Sequence, residues 1–73
     1  MIYKARGVSI GNRRTTIRLP RVMGEALEDI ARYQSHTLAD LLRQIEDGRE
    51  REQGLTDAIR IYIVQFYRAR AGL

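Results

Sequence analysis

The segment Arg13–Pro20 (RRTTIRLP) constrains the fold most, because its pattern predicts one short strand that ends at a proline. Side chains of a strand alternate between its two faces. One face carries three polar residues rich in hydrogen-bond donors, Arg14, Thr16 and Arg18. The opposite face carries Thr15, Ile17 and Leu19. The second face suits a hydrophobic core, and the first suits a polyanion better than bare solvent.

The charges are unevenly distributed along the chain, which has 13 cations, 9 acids and a net charge of +4. Residues 1–21 carry all six of their charges as cations (+6), residues 22–54 carry eight acids against four arginines (−4), and residues 55–73 carry three arginines against one acid (+2). A basic end on an acidic-to-neutral body is typical of a surface that contacts nucleic acid. All cations except Lys4 are arginine, whose planar fork suits phosphate and guanine.

The size and composition of the chain exclude several other classes of protein. At 73 residues it forms one domain, and a core this small is often completed by a metal, a disulfide or a second chain. The absence of cysteine and the single histidine, His36, argue against disulfides, a structural metal or a cofactor. No apolar run approaches the roughly 20 residues that span a bilayer, and the N-terminus lacks a signal-peptide pattern. We therefore expect a cytoplasmic protein that does not bind membranes.

Hydrophobic periodicity divides residues 1–73 into a strand region and three helices. We predict a flexible basic arm over 1–7, a strand region over 8–19, and helices over 20–34, 37–47 and 55–70. Pro20 suits the first position of a helix, and Thr37 with Asp40 has the spacing of a capping box. Gly11-Asn12 also permits a hairpin between Val8–Ile10 and the main strand, which the sequence leaves open.

The third helix is apolar on more than one side. Ile61 and Val64 lie off its main apolar stripe, so this helix needs a cover on a second face. In so short a chain that cover is expected to come from another subunit.

The pattern does not favour an enzyme. The single histidine, His36, lies in a polar turn between helices, and the carboxylates follow exposed helix faces. Gly7 and Gly11 precede a strand and not a helix, so they do not form a phosphate-binding loop.

A short strand ending in Leu-Pro, followed by an amphipathic helix, a polar turn with Thr37 and a second helix, resembles the ribbon-helix-helix superfamily of Arc and methionine repressors. The runs VSIGNRRTTIRL and LTDAIRIYIVQFYR are similar to its small bacterial members with an extra C-terminal helix. The resemblance covers about residues 6–68. It implies a mostly α fold with a short β-strand: an intertwined homodimer with an intermolecular antiparallel β-ribbon that enters the major groove of double-stranded DNA.

The resemblance also implies roles for individual residues. The base-reading positions fall on Arg14, Thr16 and Arg18. The phosphate-clamping amides at the start of the second helix fall on Thr37, Leu38 and Ala39. The basic residues Arg13, Lys4 and Arg6 are further expected contacts, to phosphates or to the minor groove. The expected dimer core comprises Ile17, Leu19, Leu38, Leu41, Leu42, Ile45, Ile61 and Val64.

Three functions fit this pattern. The first is a transcriptional repressor that occludes a promoter, with dimers that could assemble further on DNA. The second is the antitoxin of a toxin–antitoxin pair, although such antitoxins usually end in a disordered tail and this chain ends in a regular apolar helix. The third is a protein-interaction module that docks through its third helix and does not bind DNA.

Overall fold

A computed structural model describes residues 2–73. A β-hairpin precedes three helices: β1 (Tyr3–Ile10), β2 (Arg13–Pro20), α1 (Arg21–Tyr33), α2 (Leu38–Gly48) and α3 (Leu55–Arg70). The expected order of strand, two helices and an additional C-terminal helix is therefore confirmed, with two strands of eight residues where the sequence predicted one short strand.

The hairpin runs the full length of both strands. The pairs run from Ile10 opposite Arg13 to Tyr3 opposite Pro20, around a two-residue turn in which Gly11 has a positive φ of 61°. The prediction of a flexible arm over residues 1–7 is wrong for Tyr3–Gly7, which belong to β1; Met1 lies outside the described residues. Hydrophobic periodicity missed this half of β1 because its pairing with β2 forms the strand, although the residues themselves are mostly polar or small.

All four boundaries of the first two helices differ by one residue from the predicted ones. Pro20 ends β2 in an extended conformation (φ −51°, ψ 141°) and precedes α1, so it is not the first helical residue. Thr37 is the N-cap of α2, and its hydroxyl accepts a hydrogen bond from the backbone N–H of Asp40 at 3.0 Å. This bond is the one expected for the Thr37–Asp40 pair.

The core is enclosed by the single chain. One face of the hairpin packs against the helices, and most of the residues expected to form a dimer core are already buried there: Ile17, Leu19, Leu41, Leu42 and Ile45. Leu38 is half-buried beside them. Because β1 and α3 supply the remaining cover, these side chains do not need a second subunit to leave water.

The helix α3 has one buried and one exposed face. Ala58, Ile59 and Ile63 are buried, whereas Ile61 and Val64 are about half exposed. Of the residues expected in a dimer core, these two are the ones that remain accessible. Within residues 2–73, no helix is long and apolar enough to cross a membrane.

Candidate nucleic-acid interface

The outward face of the hairpin carries a row of three exposed residues on β2, which we call the outward row: Arg14, Thr16 and Arg18. On the opposite face of β2, Ile17 and Leu19 are 3% and 1% exposed. The alternation predicted from Arg13–Pro20 is therefore present. Thr15 lies on the inner face and is half-buried. Within residues 2–73, its hydroxyl is not both buried and without a hydrogen-bond partner.

The residues of β1 that lie opposite the outward row are all small, and the exposed Tyr3 follows them on the same face at the end of the strand, opposite Pro20. Ala5 lies opposite Arg18, Gly7 opposite Thr16, and Ser9 opposite Arg14. The Arg14 guanidinium donates a hydrogen bond to the Ser9 hydroxyl (Nη1 to Oγ, 3.1 Å). A Cβ atom at Gly7 would lie 3.2 Å from Arg14 Nη2. The small side chains of β1 therefore leave room for Arg14 to lie across them and leave the outward row projecting.

Arg6 lies on the opposite, helix-facing side of β1. Its Nη1 atom is 3.0 Å from Glu28 Oε2 on α1, and its side chain is 19% exposed. It packs over Gly24, where an added Cβ would come within 2.7 Å of the guanidinium. The structure thus gives Arg6 an ion pair that attaches the hairpin to α1, and not the free position expected of a phosphate contact.

Arg13 is also on the helix-facing side, next to an ion-pair cluster on α2. Its Nη2 atom is 3.7 Å from Glu46 Oε2, and its side chain is 59% exposed. Glu46 Oε1 accepts hydrogen bonds from Arg49 Nε (3.0 Å) and Nη2 (2.7 Å). The hydrogen bond from Arg49 lowers the pKa of Glu46 below its ordinary value. Partial burial acts to raise this pKa, and the charges of Arg49 and Arg13 act to lower it.

The remaining expected phosphate contacts are exposed but separate from the outward row. Lys4 lies on the inner side of β1 opposite Leu19, yet its side chain reaches solvent. At the start of α2, Thr37 and Ala39 are exposed and Leu38 is half-buried. The first amides of a helix have no partner within the helix, so those of Leu38 and Ala39 are available to an anion. No hydrogen bond or ion pair joins this helix end to the hairpin within residues 2–73.

One edge of β2 is open. The backbone N–H of Arg21 donates to the carbonyl of Ile2 at 3.0 Å, which sets the phase of the alternating hydrogen bonds between the strands. Counting from that bond, the N–H and C=O groups of Arg14, Thr16 and Arg18 point away from β1. Among the described residues no third strand pairs with this edge.

The family comparison agrees with this architecture. A family model described as "Ribbon-helix-helix domain" matches residues 3–67, which is most of the chain. This protein belongs to the ribbon-helix-helix domain family. Domains of this family are generally DNA-binding regulators or antitoxins and typically not enzymes. Searches of curated proteins and of solved structures gave no significant match.

Two features of this ribbon-helix-helix protein were missed by sequence reasoning. The first is the set of small residues of β1 opposite the outward row, for which the alternation of Ala5, Gly7 and Ser9 was the available signal. The second is the packing of Arg6 over Gly24, which only the contact between β1 and α1 reveals. His36 is exposed, with its Nε2 atom 3.3 Å from Gln44 Nε2. No group of three or more potential metal ligands occurs in the part of the chain that the structure describes.

Proposed function

We propose that this ribbon-helix-helix protein binds double-stranded DNA sequence-specifically and acts as a cytoplasmic transcriptional repressor. The observation that carries the proposal is how the arginines of the hairpin are paired. On the helix-facing side, Arg6 and Arg13 lie next to carboxylates. On the outward side, neither Arg14 nor Arg18 has a carboxylate within 4.0 Å among residues 2–73. The two arginines of the hairpin that have no carboxylate partner among the described residues therefore lie on the same, outward face.

This face has the chemistry to read base edges. A two-stranded β-ribbon fits the major groove of B-DNA, where arginine can bind guanine O6 and N7 with both arms of its fork. Threonine can donate, accept or contact a thymine methyl group. In this proposal Arg14, Thr16 and Arg18 contact bases. Lys4, Arg13 and the amides of Leu38 and Ala39 bind phosphates, and Arg6 is withdrawn from that role.

The open edge of β2 supports a homodimer. Antiparallel pairing of two β2 strands would satisfy the unpaired backbone groups of that edge and place two outward rows side by side. The β1 strands would then flank this central pair. Because the flanking residues opposite the outward rows are alanine, glycine and serine, the arginines would project beyond the flanking strands there. Such a dimer, seated on a promoter, would exclude the transcription machinery.

The test is a DNA-binding titration with a pair of charge-matched double variants. The outward-row variant, Arg14→Ala with Arg18→Ala, should lose sequence preference, with specific affinity falling by about 100-fold or more. The control, Arg32→Ala with Arg51→Ala, removes the same charge from exposed positions outside the hairpin and should retain the preference. Both variants should melt close to the wild-type temperature, since none of the four side chains is buried.

A salt series separates the two classes of contact. The logarithm of the wild-type affinity should fall linearly with the logarithm of salt concentration, with a slope of about 0.9 per phosphate bound. A preferred site is first selected from random-sequence duplexes, and the selected duplex is the ligand in these titrations. Absence of duplex binding at low salt, or equal loss in both double variants, would contradict the proposal.

A further inference from the structure

The outward surface of α3 carries a narrow stripe of four exposed residues, which we call the α3 stripe: Asp57, Ile61, Val64 and Arg68. At about 3.6 residues per turn these positions fall within roughly 60° of one another around the helix. They lie on the side opposite Ile59 and Ile63, which are buried in the core. The stripe is therefore a surface separate from both the core and the hairpin.

The centre of the α3 stripe is apolar. Ile61 and Val64 are 45% and 50% exposed, and with Arg60 and Gln65 they line a shallow depression of about 250 Å³. Single exposed apolar residues are common on protein surfaces. Here two branched side chains sit one turn apart on the solvent side of a regular helix, in the middle of a four-residue stripe with an acid at one end and a base at the other.

The order of these residues makes the stripe complementary to itself. Asp57 comes four residues before Ile61, and Arg68 comes four residues after Val64. If two such helices pack antiparallel, each Asp57 faces an Arg68, and each Ile61 faces a Val64. Parallel packing would place like charges opposite each other. We infer that α3 is a self-association surface that pairs antiparallel with α3 of a second copy of this chain.

A second copy fits this surface better than an unrelated partner, because both the charges and the side-chain sizes match under a two-fold rotation. The contact is small compared with interfaces that hold dimers permanently, so we expect reversible association. If another contact already holds two copies close together, the α3 contact becomes intramolecular and its effective affinity rises. Pairing through α3 does not require DNA, so it is measured on the protein alone.

The experiment is a charge exchange followed by sedimentation velocity over about 10 µM to 1 mM protein. Asp57→Arg and Arg68→Asp each place like charges opposite each other at both ends of the α3 pair. Each should weaken about tenfold or more the association step that α3 mediates, which is monomer to dimer, or dimer to tetramer where β2 edges already pair two chains. The double variant restores opposite charges and should associate within about threefold of wild type. An equimolar mixture of the two single variants should associate as tightly as the double variant, because every reversed charge then meets its opposite.

The matched controls are Glu52→Arg and Arg51→Asp, which make the same charge changes at exposed positions of the connector before α3. Both controls should sediment like wild type, and circular dichroism should show that all variants fold. The same self-association constant in wild type and both single variants, or no gain of mass on mixing them, overturns the proposal. In that case the stripe is either free or reserved for a different protein.

Discussion

At the scale of single residues, the proposed DNA contacts of the outward row depend on the small side chains of β1 as much as on the arginines of β2. Arg14 lies across Gly7 and donates to Ser9, so the neighbouring strand supports its guanidinium. A preorganised guanidinium loses less conformational entropy when it binds. We therefore regard Gly7 and Ser9 as residues that position Arg14.

Gly7→Ala should separate folding from binding. Alanine in a strand interior is more favourable than glycine by about 0.5–1 kcal/mol, so the melting temperature should stay the same or rise. The new Cβ at 3.2 Å from Nη2 would displace the Arg14 guanidinium. Specific DNA affinity should therefore fall about 3–10-fold. Gly48→Ala, where nothing lies within 4 Å, is the control and should leave affinity unchanged; an equal effect in both would argue against a positioning role.

At the scale of elements, two ion-pair sites attach the hairpin to different helices. Arg6 reaches Glu28 on α1, and Arg13 approaches Glu46 on α2. Glu46 also accepts hydrogen bonds from Arg49. The Nη1 atom of Arg49 donates a further hydrogen bond to the carbonyl of Gln53 at 2.6 Å. One carboxylate thus joins the end of α2 both to the turn of the hairpin and to the connector that leads into α3.

Glu46→Gln should make this attachment visible as a pH-dependent loss of stability. The pKa of Glu46 is lower in the folded chain than its ordinary value of 4.5, so its carboxylate stabilises the fold above that pH. This stabilisation declines as the pH falls below the ordinary value towards the folded pKa. At pH 7 the variant should melt about 2–5 °C lower, and the difference should shrink and then vanish as the pH falls through the lowered pKa of Glu46 in the folded chain. Thermal melts followed by circular dichroism measure it, and a difference that stays constant with pH would exclude the electrostatic explanation.

At the scale of the whole molecule, a single chain encloses its core between one hairpin face and three helices. Leu41, Leu42, Ile30 and Ile59 are each 0% exposed. The helix α3 therefore has two distinct roles, with one face completing the core and the other forming the α3 stripe. Ile59 belongs to the core face, and Ile61, two positions later, belongs to the α3 stripe.

Ile59→Ala should cost about 2–5 kcal/mol of unfolding free energy, because it leaves a cavity in a close-packed core. That is a large part of the stability expected for a small domain. Ile61→Ala removes the same atoms from a side chain that is 45% exposed and should cost less than about 1 kcal/mol. Denaturant titrations at micromolar protein measure both values. Equal losses would mean that Ile61 is covered in solution by a stable partner under those conditions.

The sequence by itself determined the helices, the alternation of β2 and the basic character of the outward row, because these follow from local periodicity and charge. The tertiary structure decided what those patterns could not express. Tyr3–Gly7 form a strand only because β2 lies alongside, and Arg6 pairs with Glu28 and packs over Gly24 only because the fold brings α1 against β1. Pairing partners and burial are long-range properties, and alternation in one segment cannot reveal which chain or element will cover it.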